Sequence, residues 1–132
     1  MWRNITPLEE RAMSEFEQKF RFRIDPALRQ FIIDHNGGIP SPGTFLTTAR
    51  ERRFEQLLDF SDTLTGRGAW AINERLRYKI GEKRIIIGTD ANSNFICLER
   101  DYKTQYIVVW NHFSNSFERC IADIPVLLQS LC

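Results

Sequence analysis

Two histidines, three cysteines and a scatter of carboxylates and amides set the chemistry open to this chain. His112 ends an aromatic run, YIVVWNH, and from there could approach Asp90 or Cys120 across neighbouring strands. That is the one arrangement resembling a nucleophile with its base. Cross-strand packing against Trp110 is the preferred role for His112. His35 falls on the inner stripe of a helix near its C-terminus, where the helix dipole favours a cation, so it is read as packing and hydrogen-bonding there. Asp90, Asn92 and Asn94 alternate like the opening of a calcium loop, but the later glycine is missing and Asp101 stands where a bidentate glutamate belongs. An Asx-rich hairpin turn is the better reading. Cys97, Cys120 and Cys132 form no C-x-x-C pair and are odd in number, which points to reduced, buried thiols. The histidines and carboxylates show no metal-ligand spacing. The chain is therefore expected to be no enzyme and to need neither metal nor cofactor.

The arginines carry more information. Arg50, Arg52 and Arg53 follow residues 40–48, a stretch rich in proline, glycine and small polar residues that reads as an exposed loop. Arginine outnumbers lysine, and its planar fork favours bidentate recognition of carboxylates at protein interfaces. A nucleic-acid surface would join these arginines to Arg75, Arg77, Lys79, Lys83 and Arg84. Glu51, Glu55, Glu74 and Glu82 interrupt it, however, and 18 basic against 17 acidic side chains leave a net charge of only +1. A protein partner is expected, and no nucleic acid. The candidate protein-binding set is Arg50, Glu51, Arg52 and Arg53 with Asp90 and Asn92 in a strand-connecting turn.

These residues need a scaffold, and its elements can be read in order. Thr6-Pro7-Leu8-Glu9 has the form of a capping box, followed by an apolar stripe of Leu8, Met13, Phe16 and Phe20. Asp25 can cap a second helix that has Pro26 in its first turn and Leu28, Phe31, Ile32 and His35 on one face. Asn36 and Gly37 suit a left-handed helix end, and Gly38 and Pro40 stop its continuation. A short strand over residues 54–60 and a turn at Ser61 and Asp62 precede a helical region in which Trp70, Ile72, Leu76 and Ile80 face inward, weakened early by Gly66 and Gly68. Residues 84–88, 94–99 and 106–112 read as three antiparallel strands, and residues 117–121 as a fourth. Asp123 then caps a terminal helix, with Pro125 buried in its first turn and Leu127, Leu128 and Leu131 docked on the sheet. Asn36, Gly37, Gly38, Pro40, Gly88 and Trp110 are assigned to the scaffold. Trp2 is either a packing contact or an exposed anchor.

At 132 residues and 42% hydrophobic content the chain is one domain, 1–132, able to bury roughly two-thirds of its unfolded surface. No apolar run is long enough for a membrane span, and the polar start, MWRNITPLEE, is unlike a secretory signal. A soluble, cytoplasmic protein is expected.

The order of ITPLEERAMSEFE, DPALRQFIIDHNGGIP, IIIGTDANSNFICL, YIVVWNH and CIADIPVLLQSL resembles the SUKH superfamily, which includes fungal Smi/Knr-type cell-wall regulators and many bacterial immunity proteins. The resemblance spans nearly the whole chain. It implies an α+β domain with helices packed against an antiparallel sheet of about four to six strands, used to bind protein rather than to catalyse. The function it implies is neutralisation of a cognate polymorphic or contact-dependent toxin, often a nuclease, by occlusion of its active site. The alternative is a regulatory or scaffolding interaction domain. Oligomeric state is not implied.

Overall fold

The computed structural model describes residues 1–41, 43–61 and 65–131. A strand, β1 (Trp2–Arg3), leads into helices α1 (Glu10–Phe20) and α2 (Pro26–His35). Three strands follow: β2 (Ile39–Pro40), β3 (Thr44–Leu46) and β4 (Glu51–Leu57). After helix α3 (Ala69–Ile80) come β5 (Arg84–Asp90), β6 (Phe95–Arg100), β7 (Gln105–Asn111) and β8 (Ser116–Arg119), and helix α4 (Ile124–Leu131) closes the chain. The fold is α+β: β1 and β2 form a small antiparallel ribbon, and β3 to β8 form a six-stranded antiparallel sheet in sequence order.

That sheet curls until its ends meet. Thr47, just past β3, bridges to Cys120, just past β8, while Thr48 N donates to Arg119 O at 2.9 Å and Ile121 N to Leu46 O at 3.0 Å. Closure gives edge strands partners they would otherwise seek in another chain. Register shifts in β4 between Phe54 and Gln56, and in β5 between Ile86 and Gly88, supply the bending. Where β4 leaves β5, Asn73 of α3 takes over: it accepts from Ile86 N at 2.7 Å and donates to Ile86 O at 2.9 Å. A buried side-chain amide thus stands in for the missing strand.

The central strands carry consecutive buried residues, Ile85–Ile86–Ile87, Ile96–Cys97–Leu98 and Ile107 to Trp110, so both faces of the sheet are covered. Helix α3 packs on β5, while α4 packs on β3, β7 and α2. Trp2 joins this core from the N-terminus, edge-on to Phe31 at 5.3 Å and donating Nε1 to Leu131 O at 2.9 Å. It is a packing contact.

Helix α2 forms as its sequence dictates. Asp25 accepts from Leu28 N at 3.2 Å, and Leu28, Phe31 and Ile32 are buried. At its end, Gly37 alone takes the left-handed conformation (φ 70°), because Asn36 is extended (φ −47°, ψ 127°). Gly38 is fixed by contact: a Cβ there would lie 2.7 Å from His35 O and 2.9 Å from Trp2. Asn36 is fully buried, donates to Thr6 O and Asp59 Oδ1, and accepts from Phe60 N at 2.7 Å. The NGG junction therefore ties three segments together.

Several expectations are corrected. Helix α1 starts at Glu10 with Glu9 as its cap residue and no side-chain cap, because Thr6 is drawn away by its backbone N–H, which donates to Asn36 O at 2.9 Å. Residues 40–48 are not an exposed loop: they begin with the end of β2 and contain β3, and Pro40, Gly43, Phe45 and Thr47 are buried. The strand expected at 54–60 begins at Glu51, since the three charged residues ahead of Phe54 pair with β3. Gly66 and Gly68 precede α3 and do not lie in it. The turn at Asp62 lies outside the described residues. Asp123 caps α4 through Val126 N at 3.1 Å, but Pro125 is exposed and Ile124 takes the inward position.

Candidate protein-binding surface

Strand alternation divides the arginine cluster. Along β4, Glu51, Arg53 and Glu55 point outward, whereas Arg52, Phe54 and Leu57 are buried. Arg52 and Asp90, expected in the binding set, are buried.

Arg52 lies inside the curl, its side chain only 6% exposed. It donates from Nε and from a terminal nitrogen to the two oxygens of Glu118 at 3.1 and 2.6 Å, and lies 3.8 Å from Asp90. Glu118 also accepts from Thr47 Oγ1 at 2.8 Å, beside the bridge that closes the sheet. The hydrogen bond with Arg52 holds the Glu118 carboxyl below the usual carboxylate range. The same bond raises the Arg52 guanidinium above its ordinary value against the opposing effect of burial.

Asp90 begins the β5–β6 turn. One oxygen accepts from Asn92 N at 2.9 Å and Asn94 N at 2.8 Å, and the other from Asn94 Nδ2 at 3.0 Å. These bonds make it an Asx-turn residue, with its lone pairs directed at the chain's own amides.

Of the remaining predicted residues, Arg53 lines a concave site, and Arg50, Glu51 and Asn92 lie outside its lining. A notch of about 200 Å³ lies between β2, the outer row of β4 and the start of the β5–β6 turn. Arg3, Pro40, Ser41, Arg53, Glu55 and Ala91 line it. Three pairings assemble it: Arg3 opposite Ile39, Phe54 opposite Asp90, and Ala91 N donating to Arg53 O at 3.0 Å. Arg3, Arg53 and Glu55 are exposed and form no ion pair among the described residues. Arg50 and Glu51 are exposed further along β4, and Asn92 projects from the neighbouring turn. Arg50 lies 3.6 Å from Glu118 but keeps 62% of its side chain in solvent, so that contact costs little to exchange for a partner's carboxylate.

Sequence reasoning missed Arg3 and Glu118. Arg3 enters through a two-residue ribbon too short to leave a periodic signal, and a glutamate in a short polar strand reads as exposed.

The nucleophile-and-base arrangement does not assemble. The His112 ring packs against Phe95 at 5.0 Å, Trp110 at 5.8 Å and Phe113 at 4.2 Å, and makes no hydrogen bond to Asp90 or Cys120 among the described residues. Burial pushes the Cys97 thiol well above its ordinary value and raises Cys120 as well, so neither is a ready thiolate. Cys132 lies outside the described residues. Among the described residues no helix is long and apolar enough to cross a membrane.

Compared with known proteins, residues 10–124 match the model of the family SUKH_6, described as SMI1-KNR4 cell-wall. No curated protein and no solved structure matches the chain.

Proposed function

The chain belongs to the SUKH_6 (SMI1-KNR4 cell-wall) family, and from that premise we propose that it is a bacterial immunity protein that binds a cognate toxin and neutralises it by covering its active site. The family match over residues 10–124 carries this reading, because toxin neutralisation is a common role of the bacterial members that the sequence resembles. The surface described above supports it. The guanidinium groups of Arg3 and Arg53, without an ion pair among the described residues and set on paired strands, are available as planar donors for carboxylates. Arg50, Glu51, Glu55 and Asn92 would form the surrounding polar contacts. Occlusion needs no chemistry from this chain, and we assign it none. It acts in the cytoplasm, where an incoming toxin would meet its target.

The test is co-expression with the toxin encoded by the adjacent gene. Growth should be restored by the wild-type chain, and the complex should survive gel filtration. A double variant, Arg3→Glu with Arg53→Glu, should weaken the complex by about thirtyfold to a thousandfold, the scale of one to two kcal/mol for each of the two charge contacts, with the melting temperature nearly unchanged. Complex formation without rescue would favour a scaffolding role. Equal killing with and without the folded protein, and no complex, would refute the proposal for that toxin.

A further inference from the structure

A second surface, remote in sequence from the notch, has the chemistry of a binding site. The end of α3 and the β7–β8 turn enclose a groove of about 430 Å³ lined by Tyr78, Lys79, His112, Phe113 and Asn115. Tyr78 is 80% and Phe113 82% exposed, although each is a large ring whose burial would be favourable. His112 packs on Phe113 at 4.2 Å and, with Phe95 and Trp110 beneath, makes the groove's floor part of the core. Two large rings left in solvent are the kind of residue enriched among interface anchors.

Charge defines the partner. Arg75, Tyr78 and Lys79 share one helical stripe, at spacings of three and four residues. Arg75 and Lys79 are exposed and form no ion pair among the described residues, whereas Glu74 and Glu82 are matched by Lys19 at 3.6 Å and Arg77 at 3.8 Å. Among the described residues no carboxylate lines the groove. His112 Nδ1 is buried without a hydrogen bond, the one such side-chain atom among the described residues. Leaving it as a bare lone pair costs less than leaving it as an unpaired N–H, which places the proton of a neutral ring on Nε2. The groove thus offers one lining cation, Lys79, with Arg75 a turn away on the same helix, and the His112 ring and Asn115 amide around two exposed rings.

We propose that this groove docks an acidic segment of a partner protein, with an apolar side chain of that segment seated between Tyr78 and Phe113 and its carboxylates meeting Lys79, Arg75 and His112. The proposal does not depend on the partner being a toxin.

The probe is a labelled decapeptide of alternating Glu and Phe, with a Lys–Phe peptide of the same length as control, titrated into the full ¹⁵N-labelled chain. Amide shifts should cluster at residues 75–79 and 112–115 with the acidic peptide and be absent with the basic one. Tyr78→Ala with Phe113→Ala should weaken binding at least fivefold at unchanged melting temperature, and Lys79→Glu should do the same. Both sites are exposed, so these variants are expected to fold. Shifts that fall outside residues 75–79 and 112–115, equal response to both peptides, or full retention of binding by Lys79→Glu would overturn the proposal. So would concentration-dependent self-association in sedimentation that Phe113→Ala abolishes, because it would make a second copy the occupant.

Discussion

Replacing Arg52 by leucine tests the reading that the arginine cluster is divided between scaffold and surface. The side chains of Arg52 and Glu118 are 6% and 16% exposed, joined by two hydrogen bonds at 3.1 and 2.6 Å. Removing the cation strands the Glu118 carboxylate inside the curl, a loss of about 3–5 kcal/mol for a broken buried pair. For a domain of this length that is a fall in melting temperature of roughly 10–20 °C, and a large part of a typical stability of about 5–15 kcal/mol. The double variant Arg52→Leu with Glu118→Leu should recover at least half of the loss, since no unpaired charge is left on β8. Asp90 keeps its three Asn92 and Asn94 hydrogen bonds without Arg52. Acid supplies a second measure. The folded Glu118 carboxyl lies below the usual range, so its contribution is fully present above the unfolded value of about 4.3 and is lost as pH falls through the folded one. Glu118→Gln should flatten that part of the stability profile. Urea denaturation followed by circular dichroism, repeated between about pH 7 and pH 3, measures all of this. A cost below about 1 kcal/mol for Arg52→Leu, or a double variant no better than the single one, would refute the buried-pair reasoning.

Three other variants or reactions probe the scaffold. Gly38→Ala sets a methyl 2.7 Å from the His35 carbonyl, where backbone cannot yield cheaply, and should cost about 1–3 kcal/mol in urea titrations. Asn73→Leu strips both backbone groups of Ile86 of their partners, an expected loss of about 2–5 kcal/mol, with hydrogen exchange at the Ile86 amide rising well above that of its neighbours. Cys97 and Cys120 are buried and their thiols are held protonated, so a maleimide should leave both unmodified in the native protein and label both in concentrated urea, as peptide mass mapping will show.

The elements that were legible in the sequence are those with their signals on neighbouring residues. Helix α2 has its cap, its first-turn proline and its stripe within one segment, and strands β5 to β7 are β-branched runs divided by Asx turns. What stayed hidden depends on partners far along the chain. The Thr6 capping box yields to a backbone bond from Thr6 to Asn36, thirty positions away. Residues 40–48 have the composition of a loop, yet β3 within them is held by β4 and by the far end of the sheet at Cys120. The candidate site divides the same way. Arg50, Arg53 and Asn92 are surface residues, as their polarity suggests, while Arg52 and Asp90 are as polar and face inward. Only the register of β4 against β5 distinguishes the two groups.

That register has a consequence for how such a surface can change. Because Arg52, Phe54 and Leu57 are buried in the sheet while Glu51, Arg53 and Glu55 are exposed, the outer row can be substituted without altering what the inner row packs against. A protein that must match one partner and reject its relatives needs this separation, since specificity is a difference of affinities that charge reversals adjust in steps of a kcal/mol or more. Each such step would be ruinous if the same arginines also held the fold. Arg52 and Arg53 show how the chain avoids the conflict: adjacent, identical in chemistry, and assigned by one step of the strand to opposite duties.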